Sequence, residues 1–169
     1  MFFSKKSKEF PKLQAGDVIF FEPADFVGKV IQLITFSKYS HVALVIDANR
    51  IIEAETSGVR IVPISEALGR TQNKDAYILK PEARARFNEA GLNSFVTDVN
   101  GRPYDFYQAF MSGLHGIDRK ISNKESEKKF FCSELAADGL YHSNVLPDIN
   151  SSNEDPGNLY RRLVKLNII

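Results

Sequence analysis

The sequence has one cysteine in 169 residues. A lone thiol cannot close an intramolecular disulfide or build a cysteine-rich zinc site, so neither staple is expected to hold the fold. Neither sign of charge is in excess. Lys and Arg number 22 against 21 Asp and Glu, for a net charge of +1. That balance lacks the basic surplus a phosphate-backbone binder needs, so no nucleic-acid partner is expected. No apolar run approaches the length of a membrane span, which excludes stable membrane insertion through a helix. The first ten residues, MFFSKKSKEF, are broken by charge before an export signal could form, so a cytoplasmic location is expected. There is no phosphate loop, no Gly-x-Gly-x-x-Gly and no internal repeat, and no metal or organic cofactor is expected.

What is present is ordinary globular composition, 43% hydrophobic and 25% charged. At about 150 residues per domain, residues 1–169 are expected to form one domain with a core of its own. Short β-branched and apolar runs predict strands over 17–21, 41–46, 51–55, 59–64 and 76–79. Helical spacing predicts helices over 25–37, 82–99, 105–111, 130–142 and 158–166, with one helical turn at 65–68. Residues 113–129 are rich in Gly, Ser and charge and read as an exposed loop, expected to border a cleft and limit access to it. Strands come early and helices late. That segregation predicts an α+β fold with an antiparallel sheet and the Cys132 helix packed on one face.

Candidate chemistry centres on Cys132, in Phe130-Phe-Cys-Ser-Glu-Leu135. A thiol at the start of a helix would have its thiolate stabilised by the helix dipole. The same cysteine also falls in register with Leu135, Ala136, Gly139 and Leu140, a stripe on which a small core residue is ordinary. A cysteine nucleophile needs a base, normally histidine. His142 lies ten residues further along the same helix, about 15 Å away along its axis, and is excluded. His115 stands in a loop, while His41 opens a buried strand directly after Tyr39 and Ser40. Glu53 and Glu55 alternate with Ile52 and Ala54, so both carboxylates share one face of a strand. Either could orient an imidazole; both are also compatible with a plain edge strand. In the hairpin formed by 41–46 and 51–55, paired residues have a constant sum. An even sum, the register expected here, puts His41 on the face of the two glutamates, and an odd sum puts it on the other. Within the even case, 94 sets Glu53 opposite His41 and 96 sets Glu55 there.

Several motifs occur together in order: Gly16-Asp17-Val-Ile-Phe, Tyr39-Ser40-His41, Glu53-Ala54, Gly101-x-x-Tyr104-Asp105-Phe106 and Phe131-Cys132-Ser133-Glu134-Leu135. Between residues 15 and 142 the chain resembles the YiiX-like, circularly permuted branch of the NlpC papain-like cysteine peptidases and amidases. The resemblance implies a permuted papain-like fold in which the sheet precedes the nucleophile helix. It implies Cys132 as nucleophile, His41 as base and Glu53 as orienter, with Glu55 the alternative. Tyr39, Ser40, Tyr104 and Asp105 are its candidates for oxyanion or substrate binding, beside the backbone N–H of Cys132. No metal site is implied. The implied reaction is hydrolysis of an amide or peptide bond through a thioester acyl-enzyme. The partner would be a peptide, amide or acyl small molecule. Two other readings use the same fold. One is acyl transfer to a lipid or small-molecule acceptor, with Phe106, Phe110 and Met111 as an apolar wall. The other is a non-catalytic binding module, which an inert, buried Cys132 would favour.

Overall fold

The computed structural model describes residues 11–22, 38–55, 57–70, 73–102, 124–148 and 155–169, with backbone alone for 124–131. Five strands form one sheet: β1 (Val18–Phe21), β2 (His41–Val45), β3 (Arg50–Glu55), β4 (Gly58–Pro63) and β5 (Lys74–Tyr77). Their order is β4-β3-β2-β1-β5, and every neighbouring pair is antiparallel. The described helices are α1 (Ile64–Arg70), α2 (Pro81–Ala85), α3 (Glu89–Val99), α4 (Lys124–His142) and α5 (Pro156–Lys165). This is the expected α+β architecture. The helices expected over 25–37 and 105–111 lie outside the described residues.

The alternation of side chains along β2 and β3 builds two unlike faces. On one, Val42, Leu44, Ile52 and Ala54 join Val18 and Phe20 in a large buried cluster with Leu92 and Phe95 of α3, Leu135 and Leu140 of α4, and Leu159 and Leu163 of α5. On the other, Ile19, Phe21, Ala43, Val45 and Ile51 pack with Leu13 and with Ala67 of α1. Helix α4 lies so close to the sheet that a Cβ on Gly139 would stand 2.3 Å from Leu44 Cδ2. Gly91, a weak point for a helix by propensity, is needed for the same kind of reason. A Cβ there would lie 2.1 Å from the carbonyl oxygen at the end of α4.

Three of the differences from the expected boundaries have a visible cause. The helix expected over 82–99 is two, because the Asn88 side chain accepts from the Gly91 N–H at 3.1 Å and caps a new start. Strand β5 sits two residues early. The Leu79 N–H donates to the buried Asp17 carboxylate at 2.9 Å, which draws the chain out of the ladder beyond Tyr77. Asp17 also accepts from the Gln14 N–H at 2.8 Å and pairs with Arg84, and burial raises its pKa despite these partners. Helix α4 begins at Lys124, so residues 124–129 are helix and not loop. The charge of Lys124-Glu-Ser-Glu-Lys-Lys129 suggested a solvated loop. Glu and Lys are nonetheless good helix formers, and charge predicts exposure, not backbone conformation. Residues 113–123 of that segment lie outside the described residues, as do His115, Phe106, Phe110 and Met111.

Candidate active site

The hairpin of β2 and β3 sets the register of the site. Asp47 Oδ1 accepts from the N–H groups of Asn49 and Arg50, each at 2.8 Å, and closes a tight turn. Ile46 then bonds Arg50 across a three-residue loop, and the ladder pairs Leu44 with Ile52 and Val45 with Ile51. Those sums are 96, which is even. His41 therefore shares its face with Glu53 and Glu55, as expected. Carried beyond the last observed pair, Leu44–Ile52, the same sum would set Glu55 opposite His41 and Glu53 opposite Ala43. Contact follows the other carboxylate. His41 Nε2 lies 3.0 Å from Glu53 Oε2 and 4.0 Å from Glu55 Oε1.

The reason lies in groups the sequence reading did not single out. Glu53 pairs with Arg60 across the β3–β4 ladder. Arg60 donates to Glu53 Oε1 from Nε at 3.1 Å, with its Nη2 2.9 Å from the same oxygen, and Arg70, the last residue of α1, donates from Nη1 at 2.5 Å. The two guanidinium groups stand 3.9 and 3.7 Å from Glu55. Glu53 is fully buried, whereas Glu55 is 34% exposed. Burial alone would raise the Glu53 pKa. The His41 hydrogen bond and charge, then those of Arg70, outweigh it and hold the carboxyl down at about 2. Glu53 is thus an ionised acceptor, and Nε2 of His41 donates to it.

With Nε2 given to Glu53, Nδ1 is the ring nitrogen left for a second partner, and Cys132 is near enough to act on the imidazole through charge and a hydrogen bond. The thiol comes from α4 on the opposite face of the sheet. His41 is the first residue of β2, at the end of the strand, and there its ring reaches both groups. Burial disfavours the imidazolium, but the negative charge and hydrogen bond of Cys132, then those of Glu53, push His41 up to about 10. The imidazole lies 5.5 Å from the Phe21 ring, centre to centre, and its side chain is 21% exposed. Cys132 is 1% exposed.

Helix α4 alters one expectation about the thiol. Cys132 stands eight residues inside the helix, not at its start. Its N–H is that of a helix interior, bonded along the helix, so neither a dipole at the thiol nor a free Cys132 amide donor follows. The groups that act on the thiol side chain are then His41 and its partners. Tyr39 is buried, and its hydroxyl is engaged with Tyr77 at 2.7 Å and with Asp75 at 3.0 Å. Ser40 is half-buried. Both its N–H, at 2.9 Å, and its hydroxyl, at 3.4 Å, donate to the Phe21 carbonyl. Tyr104 and Asp105 lie outside the described residues. His142 stacks on Phe95 at 5.1 Å, away from the thiol.

A thiol, an imidazole and an ionised carboxylate in one hydrogen-bonded series can pass a proton from sulfur to nitrogen and stabilise the resulting cation. His41, Glu53 and Glu55 also bring donor atoms within 4.8 Å of one another, a spacing a metal ion could use. The carboxylates already face Arg60 and Arg70, so a metal cation would have to displace two guanidinium groups. Among the described residues, no helix is long and apolar enough to cross a membrane.

Residues 12–154 match the family described as permuted papain-like amidase enzyme, YaeF/YiiX, C92 family. The chain is also similar to the probable lipoprotein peptidase YaeF of Escherichia coli (strain K12). The two are 24% identical over 155 residues, which cover 77% of this chain and 56% of the relative. The chain therefore spans just over half the length of that relative. A sheet that precedes its cysteine helix, and a family match over most of the sequence, lead to one conclusion: the chain belongs to the C92 family of permuted papain-like amidases.

Proposed function

We propose that this protein cleaves an amide or peptide bond through a Cys132–His41–Glu53 triad and a thioester acyl-enzyme. The reading is supported chiefly by the 3.0 Å contact of His41 Nε2 with the buried Glu53 carboxylate, beside a Cys132 that acts on the same imidazole. His41 Nδ1 takes the thiol proton, and the sulfur attacks the carbonyl carbon. The imidazolium then protonates the departing amine. Water next attacks the thioester while His41 takes its proton, and Cys132 leaves as the acid is released. Glu53 keeps Nε2 protonated and stabilises the imidazolium at each stage. The name of the E. coli relative makes peptide amides the first substrates to try.

The test is an electrophilic thiol probe followed by mass-spectrometric mapping. Fast labelling of Cys132 near neutral pH, lost in His41→Ala, supports the triad. Equal labelling of both proteins overturns it. The burial of Cys132 favours a second reading, a binding module that keeps the fold without the chemistry. That reading expects a thiol that a small probe modifies only after unfolding.

A further inference from the structure

Glu53 is a buried carboxylate whose two oxygens face different partners. Oε2 faces His41, and Oε1 faces two arginines from different elements. The hairpin register would set Glu55 opposite the imidazole, yet Glu53 makes the short contact. A carboxylate can rotate and exchange its oxygens, and two N–H donors on Oε1 from different elements, with Arg60 Nη2 beside them, remove that freedom. We infer that Arg60 and Arg70 are positioning residues that turn Glu53 Oε2 toward His41 and offset the charge of the buried carboxylate. This rests on the triad reading above.

The groups facing Glu53 are His41 of β2, Glu55 of its own strand, Arg60 of β4 and Arg70 of α1, with Cys132 of α4 beyond the imidazole. Glu66 of α1 accepts from Arg70 Nη2 at 2.8 Å and so draws on the same guanidinium. Arg60 and Arg70 are 39% and 31% exposed, so shortening either side chain opens no core cavity. Removing one positive charge raises the pKa of every neighbouring acid. Across about 6 Å of a water-like medium that amounts to about half a pH unit.

The test uses the full chain as native protein, Arg60→Gln, Arg70→Gln, Arg60→Lys, Arg70→Lys and His41→Ala. One readout is the pH profile of Cys132 alkylation by iodoacetamide, unambiguous because the chain has one cysteine. The other is the NMR signal of the His41 Nε2–H proton. In the Gln variants the acid limb of the profile should move up by about half a pH unit. Their Nε2–H signal should lose its protection from exchange. The Lys variants keep the charge but not the fork, so their limb should stay in place while the proton exchanges faster. Native-like limbs and a native-like proton in all four arginine variants would overturn the assignment while the triad stands. A native profile that His41→Ala leaves unchanged would overturn the triad, and the positioning role with it.

Discussion

The two faces of the β2–β3 hairpin are built from alternate residues of the same strands, and they behave as different materials. One presents Val42, Leu44, Ile52 and Ala54 to helix α4 and is held by close packing. The other packs Ala43, Val45 and Ile51 beneath α1, and beside that apolar patch it presents His41, Glu53 and Glu55, joined by Arg60 and Arg70 and held by charge and hydrogen bonds. Apolar burial is non-directional, so the first face tolerates small adjustments and responds to lost volume. Charge-assisted hydrogen bonds fix direction, and a buried ion left without its partner is costly, so the second face responds to a single lost donor. The comparison predicts that damage to the packed face shows as stability and damage to the charged face as chemistry.

The largest effect should come from the imidazole. His41→Ala is expected to slow probe labelling of Cys132 by about 10²–10⁴-fold, read as a second-order rate near neutral pH. Leu44→Ala should do the converse. Leu44 is fully buried beneath Gly139, and its truncation should cost about 2–5 kcal/mol in urea denaturation. Its labelling rate per folded molecule should stay close to native, and a loss of the His41→Ala size would mean that the faces are not separable.

Glu53→Gln joins the two measurements. A neutral amide supports the imidazolium poorly, so labelling should fall by about tenfold to a hundredfold. The same variant tests a pH dependence. The Glu53 carboxyl titrates near 2, below its ordinary 4.5, so the stability it contributes is present above about pH 4.5. That contribution is lost as pH falls from there toward 2. The native urea midpoint should drop across this window, and Glu53→Gln should flatten the drop. Identical acid profiles would detach Glu53 from the acid sensitivity of the fold. The smallest effect is expected from Glu55→Gln, whose carboxylate stands 4.0 Å from His41 and is partly exposed. A slowing greater than that of Glu53→Gln would reverse the roles of the two glutamates.

Much of this architecture was legible in the chain. Short runs such as Val18-Ile-Phe-Phe21 and His41-Val-Ala-Leu-Val45 are apolar enough to specify strands wherever they are placed. The start of α4 was not legible, because the charges of 124–129 report solvation and leave the backbone conformation open. Arg60 and Arg70 were missed for a different reason. Arg60 reaches Glu53 only because β4 pairs with β3, and Arg70 arrives only because α1 runs two residues past the turn expected to end at Leu68.

The sequence by itself determined the strand order in time, the early sheet and late helices, the lone thiol, and the sharing of one strand face by Glu53 and Glu55. These follow from local period and composition. Local period did not choose between the two glutamates; the family resemblance implied Glu53, and the tertiary structure supplies the contacts that hold it against the imidazole. A three-residue turn sets the register sum at 96 and offers Glu55, but guanidinium groups from β4 and α1 bind Glu53 and turn its free oxygen to His41. Contacts from the strand and helix that follow β3 outweigh the geometry of the β2–β3 hairpin itself, because a fixed ionic hydrogen bond is directional while opposition across a ladder only brings side chains near.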